Sequence, residues 1–227
     1  MSIQEINNNP IMLQNWVEKE KRAKEEYLQQ NPQSLIPLFE EELRKRGFHF
    51  EITNQIRNYM PKHKKAILPI AIEYYRKAKE LGLVNEQHHF MGYFQYKGFE
   101  ELVPMLLEDF YSEATSELTR WIISDCLYQI CSKKYTEEYL DIISKPQYGR
   151  NRQMFILLIG RLKAEDAIPI LINLLEDEEV RLQVIKALGE YRREEFRIYF
   201  MRYVDSKQTG WKKYAKAAIA KLDRIDG

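Results

Sequence analysis

The stretch AIPILINLLEDEEVRLQVIKALGEY, residues 167–191, decides the fold because it contains two amphipathic segments separated by an acidic turn. Apolar residues recur in each segment at intervals of three and four, which is the pattern of a helix with one buried face. A single pair of such helices cannot bury both of its apolar faces, so it needs neighbours of the same kind. The stretch therefore predicts a helical hairpin that stacks on others.

The second segment of this hairpin recurs along the chain. The copies are SELTRWIISDCLYQI (116–130), GRNRQMFILLIGRL (149–162), EEVRLQVIKALGEY (178–191) and GWKKYAKAAIAKL (210–222). A basic residue in each copy is followed seven positions later by an apolar one, and both columns advance by 32, 29 and 31 residues. Further helical segments lie between the copies, at 99–111, 135–144, 164–177 and 193–205. A period of about 30 residues indicates a stacked array of hairpins.

Segments nearer the N-terminus extend this pattern less regularly. Residues 62–81 and 85–98 fit one further hairpin, and residues 11–29 and 34–46 fit two helices that precede the array. We therefore expect an N-terminal helical cap at 1–61 and a single continuous repeat array at 62–227. Terminal units of such arrays are atypical because one of their faces meets water.

The signature of residues 177–189 resembles that of HEAT-type repeats, including the short HEAT-like units named after phycobilisome lyases. It combines Asp177, the pair Val180-Arg181 and the run Ala187-Leu188-Gly189, and a first helix with Ile168-Pro169 precedes it. The chain also resembles small bacterial HEAT-repeat proteins. The resemblance implies an all-α, right-handed α-solenoid of about five hairpins, whose concave surface is lined by the second helix of each hairpin. It implies a scaffold that binds a partner and does not imply a reaction.

Composition sets limits on function. The chain has 35 Lys and Arg against 34 Asp and Glu, so net charge gives no general argument for nucleic acid or an acidic membrane surface. No apolar run approaches the length of a membrane span, which favours a soluble, cytoplasmic protein. Cys126 and Cys131 point in different directions on one predicted helix, so we expect free, buried thiols. The sequence has no motif for a metal, a cofactor or a common catalytic site.

The basic column has two interpretations. It consists of His88 or His89, Arg120, Arg152, Arg181 and Lys212. These side chains could line the concave face and bind phosphates or an acidic peptide. Alternatively, each could bond an acidic side chain or a helix-end carbonyl of a neighbouring repeat, and Asp177 lies four residues before Arg181 as a candidate partner. The basic loop 144–152, with Lys145, Arg150 and Tyr148, likewise suits either an acidic partner or a simple turn.

Trp121 and Asp125 lie at i and i+4 of one predicted helix, and Arg152 follows one repeat later. This spacing is similar to that of the alkylpurine DNA glycosylases built from HEAT-like repeats, in which such residues line the groove. The resemblance implies that the carboxylate stabilises positive charge on the sugar while the damaged base departs. Fewer residues separate Asp125 from Arg152 than in that family, and the sequence on either side of them does not match the family's. In the alternative interpretation, Trp121 fills the core between repeats and Asp125 pairs locally.

We therefore predict a non-enzymatic, monomeric binding module without cofactor or metal, which recognises a protein or peptide through its concave face. DNA binding of the glycosylase type is the competing prediction, and self-assembly through the aromatic-rich C-terminal repeats is a third. The candidate contact residues are Arg120, Trp121, Asp125, Arg152, Arg181 and Lys212.

Overall fold

The computed structural model describes residues 10–224, and within this range the chain forms α-helices and short 3-10 turns without any β-strand. The all-α prediction is therefore confirmed, whereas the handedness of the solenoid stays a prediction. The contacts divide the chain into two compact units, Met1–Tyr93 and Phe94–Gly227, referred to below as the N-terminal and C-terminal units.

The N-terminal unit contains four α-helices within its described residues. They are α1 (Pro10–Gln30), α2 (Ile36–Lys45), α3 (Met60–Glu80) and α4 (Val84–Met91). The ring of Phe39 on α2 lies 5.5 Å from Tyr74, 5.1 Å from Phe90 and 5.3 Å from Tyr93, measured between centroids. These contacts join α2 to the α3–α4 hairpin, so the predicted boundary between residues 61 and 62 lies inside this unit. Helix α4 also ends at Met91, seven residues before the predicted end at residue 98.

The C-terminal unit consists of four consecutive helical hairpins within its described residues. Their first helices are α5 (Val103–Tyr111), α7 (Thr136–Ser144), α9 (Ile168–Leu174) and α11 (Arg197–Met201). Their second helices are α6 (Glu117–Ile130), α8 (Gln153–Leu162), α10 (Arg181–Tyr191) and α12 (Thr209–Asp223). Each first helix packs on the second helix that follows it, and the second helices pack on one another in chain order. We call the row formed by α6, α8, α10 and α12 the second-helix layer.

Close approach between second helices explains the small residues of the repeat signature. A Cβ atom on Gly160 of α8 would lie 2.6 Å from the Cα of Ala187 on α10, and one on Gly189 would lie 3.2 Å from the Cβ of Ala218 on α12. The predicted apolar column fills the same layer, because Leu127, Ile159 and Leu188 are completely buried. Ile219 in the last hairpin is only partly buried. The apolar column recognised in the sequence thus corresponds to the residues through which each second helix packs on the next.

The connections between hairpins repeat as well. Cys131, Lys163 and Arg192 end α6, α8 and α10 in the left-handed conformation, with φ values of 56°, 51° and 53°. These positions are 32 and 29 residues apart, the same steps as in the basic column. A 3-10 turn follows each of them and leads into the next first helix, at Lys133–Tyr135, Glu165–Ala167 and Glu194–Phe196. Cys126 is buried, Cys131 is partly buried, and neither forms a disulfide within the described residues.

Candidate partner-binding surface

Two arginines of the basic column bond the ends of the preceding first helices. The guanidinium of Arg120 donates to the carbonyl oxygens of Phe110 at 3.0 Å and Ser112 at 2.8 Å, where α5 ends. Arg181 donates in the same way to Leu175 at 2.6 Å and Glu176 at 3.0 Å, where α9 ends. The last carbonyls of a helix have no partner within it, so these arginines satisfy groups that would otherwise stay unbonded. Both guanidiniums therefore point into their own hairpin.

Arg152 links two hairpins. Its guanidinium donates to the carbonyl of Gly149 at 2.9 Å and to the carboxylate of Asp177 at 2.6 Å, and its side chain is only 2% exposed. Burial of Asp177 would raise the pKa of its carboxyl, but hydrogen bonds from Arg152 and from the backbone N–H of Glu179 outweigh it and hold that pKa below its usual value. Asp177 therefore pairs with Arg152, whereas the sequence had suggested Arg181. The reason is that the Arg181 guanidinium is already bonded to the carbonyls at the end of α9.

The remaining members of the basic column differ from the arginines. Lys212 is exposed, and no described residue bonds its ammonium group. Burial lowers the pKa of His88, and burial together with the charge of Arg57 lowers the pKa of His89 to about 4. Both imidazoles are therefore neutral near pH 7, so neither continues a row of positive charges. Among the described residues, the three arginines therefore fit the second interpretation, in which they bond helix-end carbonyls or an acidic side chain, and Arg152 is buried.

Trp121 is 45% exposed, so the interpretation in which it fills the core between repeats is wrong. Asp125, one turn later, accepts a hydrogen bond from the side-chain amide of Gln95 at 2.9 Å. Partial burial raises the pKa of the Asp125 carboxyl, against a hydrogen bond from Gln129 that lowers it. No described contact joins Arg152 to either residue. The structure thus places Trp121 and Asp125 on one helix but does not assemble them with Arg152 into an accessible cluster.

Exposed and partly exposed apolar side chains that the sequence reasoning missed lie on the same helix as Trp121 and on the next second helix. Leu118 lies one turn before it on α6 and is 60% exposed, and Ile122 beside it is partly exposed. Met154 and Leu157 of α8, one repeat after Ile122 and Asp125, are partly exposed too. Ile123, Leu127 and Ile130 are buried at helical spacing, and Leu118 and Trp121 do not fall on that face of the helix. This difference in position was the sequence feature that indicated their exposure. We call Leu118, Trp121, Ile122, Met154 and Leu157 the apolar face of the second-helix layer.

Cations near this layer are covered by aromatic rings. The guanidinium of Arg161 lies 5.4 Å from the ring centroid of Tyr128 and donates to its carbonyl at 3.3 Å. The ammonium of Lys186 lies 4.8 Å from the ring centroid of Tyr214. Contacts of this kind hold a cation against a ring and reduce its availability to an external phosphate.

Some side chains of the basic loop after α7 are held by contacts with other residues of the unit. The ring of Tyr148 lies 5.0 Å from that of Phe110, and the ammonium of Lys145 pairs with the carboxylate of Asp141 at 2.6 Å. Gly149 has φ +47° and ψ −127°, a conformation that other residues rarely adopt. Of the loop's cations, Arg150 is the one that stays exposed without a described partner.

The N-terminal unit contains a cavity of about 280 Å³ between α1 and the rest of that unit. Lys24, Tyr27, Thr53 and His89 contribute polar groups to its lining. These groups bond one another and their neighbours: Lys24 Nζ lies 2.5 Å from the buried carboxylate of Glu40, and Thr53 also donates to Glu40. Within residues 10–224, no cluster of His, Cys, Asp and Glu has the arrangement of a metal site. The polar lining thus joins α1 to the unit.

Comparison with protein families supports the repeat assignment for the C-terminal unit. Residues 136–220, which run from α7 into α12, match a family model described as HEAT repeats. The match covers less than half of the chain, and it leaves the phycobilisome-lyase subtype, a bacterial origin and the likeness to DNA glycosylases as predictions. No curated protein and no solved structure matches the chain. No helix among the described residues is long and apolar enough to span a bilayer.

Proposed function

We propose that the C-terminal unit is a non-enzymatic binding module that recognises a protein partner through the apolar face of its second-helix layer. HEAT repeats generally act as scaffolds for protein interactions. The single observation that carries the proposal is the exposure of Trp121 beside Leu118 on α6. Exposed apolar clusters commonly mark interaction sites, and tryptophan is enriched among the residues that dominate binding energy.

The charges on this surface favour a protein over DNA. Binding of DNA depends on several Lys or Arg side chains that reach phosphates. Arg120 and Arg181 donate to backbone carbonyls of their own hairpins, and Arg152 is buried against Asp177. Asp125 instead adds a carboxylate next to Trp121, which would repel phosphate and suits a donor group on a protein.

The test compares partners that the full chain captures with those that a double variant captures. Leu118→Ser with Trp121→Ala removes the exposed apolar side chains of α6, and Ile198→Ser removes another exposed apolar side chain, which lies on α11. We expect the affinity for a captured protein to fall by roughly tenfold or more in the double variant and to stay within about twofold in the control. Equal affinity of the double variant and the wild type would refute the proposed surface.

DNA binding is tested on the same proteins with duplex DNA at about 50 mM salt, where phosphate contacts are strongest. We expect no complex. A salt-dependent complex that Arg181→Ala weakens would replace the present proposal with the DNA-binding alternative. The cytoplasmic location and the monomeric state stay predictions, as does the assignment of residues 62–98 to a further repeat.

A further inference from the structure

A local surplus of positive charge lies at the last helix of the C-terminal unit. Residues 206–222 include five lysines and no acidic residue, although the whole chain has 35 basic and 34 acidic residues. The lysines are Lys207, Lys212, Lys213, Lys216 and Lys221. A region with one sign of charge in an otherwise balanced chain attracts partners of the opposite sign.

Four of these lysines are available to a partner. Lys207, Lys212, Lys213 and Lys216 are exposed, and none of the ion pairs among the described residues involves them. Lys213 has only the ring of Tyr214, whose centroid lies 5.7 Å from its ammonium group. Lys221 differs, because it pairs with Glu190 of α10 at 2.8 Å.

The positions of the lysines on α12 are unfavourable for the isolated helix. Lys212 and Lys213 lie close to the N-terminal end of the helix, where the helix dipole repels cations. Lys212 and Lys216 are four residues apart, and Lys213 and Lys216 are three apart, so like charges are neighbours on the helix surface. Each of these effects is a small cost to the isolated helix. A bound acidic group would relieve all of them together.

The lysines also replace apolar residues of the repeat. Lys216 occupies the position that corresponds to Ile185 in α10, which is completely buried against its neighbours. Ala217 and Ala220 are exposed beside Lys216. The outer face of α12 therefore combines small side chains, which let another backbone come close, with flanking ammonium groups.

We propose that this outer face of α12 binds an acidic helical segment of a protein partner. The inference rests on the proposed function in one respect, namely that the partner is a protein. Glutamate or aspartate side chains one turn apart on the partner helix would face Lys212, Lys213 and Lys216, and its backbone would pass over Ala217 and Ala220.

Nearby aromatic rings and the type of cation argue against nucleic acid at this face. The ring of Trp211 is covered by the guanidinium of Arg181 at 4.5 Å, and that of Tyr214 by the ammonium of Lys186 at 4.8 Å. The rings therefore offer no free platform on which bases could stack. The exposed cations within residues 206–222 are lysines, which lack the planar fork that arginine uses to read guanine, and Arg224 lies beyond them at the end of the helix. Four ammonium groups also fall short of the roughly six to ten phosphate contacts of typical DNA-binding proteins.

The experiment measures binding of a labelled helical peptide, rich in alanine and with glutamate repeated at three- and four-residue intervals, by fluorescence anisotropy. The full chain is compared with the triple variant Lys212→Glu, Lys213→Glu, Lys216→Glu. The matched control, Lys133→Glu, Arg150→Glu, Lys163→Glu, changes the net charge equally at exposed positions elsewhere in the unit. We expect the α12 variant to lose roughly tenfold or more in affinity and the control to lose no more than about threefold.

Equal losses in the two triple variants would show only general charge attraction and would overturn the proposal. Tighter binding of single-stranded or duplex nucleic acid of the same charge would also overturn it. A neutral variant with glutamine at the three α12 positions should lose less affinity than the glutamate variant, and its thermal transition checks that α12 remains folded. The Leu118 and Trp121 double variant should bind the peptide normally, so a failure at α12 is distinguishable from a failure of the apolar face.

Discussion

The Arg152 guanidinium and the Asp177 carboxylate form an ion pair, 2.6 Å between Nη2 and Oδ2, that joins two consecutive hairpins of the C-terminal unit. The Arg152 side chain is 2% exposed and that of Asp177 is 29% exposed, so the cation has almost no contact with water. Removing one member of such a pair leaves the other without compensation and costs more than an exposed pair contributes.

Arg152→Ala is therefore expected to lower the free energy of unfolding by about 2–4 kcal/mol, measured by urea denaturation. Asp177→Asn should also be destabilising, because it leaves the buried Arg152 guanidinium without a counter-charge, whereas the carboxylate that remains in Arg152→Ala is partly exposed and can be solvated. In the double variant the two losses should not add, since each change removes the same bond. Arg150→Ala, two residues away and exposed, is the control and should change stability by no more than about 0.5 kcal/mol.

Gly160→Ala is expected to destabilise the protein, although alanine is a better helix former than glycine by about 1 kcal/mol. The new methyl group would lie 2.6 Å from the Cα of Ala187, a backbone atom that cannot move without shifting α10. We expect a net loss of about 1–3 kcal/mol in urea denaturation. Gly210→Ala is the matched control, because its methyl group would meet only the flexible end of Leu182 at 3.3 Å. A gain of stability at residue 160 would contradict the close packing of α8 on α10.

Lys163→Gly is expected to stabilise the protein. Lys163 ends α8 with φ 51° and ψ 46°, a left-handed conformation that costs residues other than glycine roughly 1 kcal/mol. Its side chain is exposed and has no described partner, so little is lost with it. The expected gain is about 0.5–1 kcal/mol in denaturant unfolding. Lys163→Ala keeps a Cβ atom in the same conformation and should give no gain, which separates backbone strain from loss of the lysine charge.

Sequence periodicity predicted the repeat but not the directions of its arginines. The column of Arg120, Arg152 and Arg181 is in register, as expected. Whether such a guanidinium reaches solvent depends on where the preceding helix ends, and periodicity does not determine this. Arg181 meets free carbonyls at the end of α9, whereas the longer turn before Arg152 directs its side chain to Gly149 and Asp177.

Two other features had no sequence signal of the usual kind. The left-handed helix ends at Cys131, Lys163 and Arg192 lack the glycine that normally marks them. The division of the chain after Tyr93 depends on contacts of Phe39 with Tyr74 and Phe90, which are distant in sequence and follow no repeat. The exposure of Trp121, in contrast, could have been inferred from its position outside the buried register of α6.

Stability should fall as the pH is lowered through the range in which His89 titrates. Burial, together with the charge of Arg57, lowers the pKa of His89 in the folded state to about 4, from an ordinary value of 6.5, although the charge of Glu40 acts in the opposite direction. Between these two pH values the unfolded chain binds a proton that the folded chain does not. The stability that comes from keeping His89 neutral in the folded state is therefore fully present above pH 6.5 and is lost progressively as the pH falls towards 4. It amounts to at most about 3 kcal/mol in the free energy of unfolding.

His89→Gln is the control for this prediction, because glutamine can still hydrogen-bond the hydroxyl of Tyr93, 3.3 Å from the His89 Nε2, but does not titrate. Denaturant unfolding at several pH values should show a smaller loss of stability between pH 6.5 and 4.5 in this variant than in the wild type. Below that range both proteins should weaken, because hydrogen bonds from Lys24 and Thr53 to Glu40 outweigh its burial and lower its pKa. Stability from a carboxylate whose pKa is lowered is lost as the pH falls through the folded-state pKa. Equal slopes above pH 4.5 in the two proteins would show that His89 is not the titrating group.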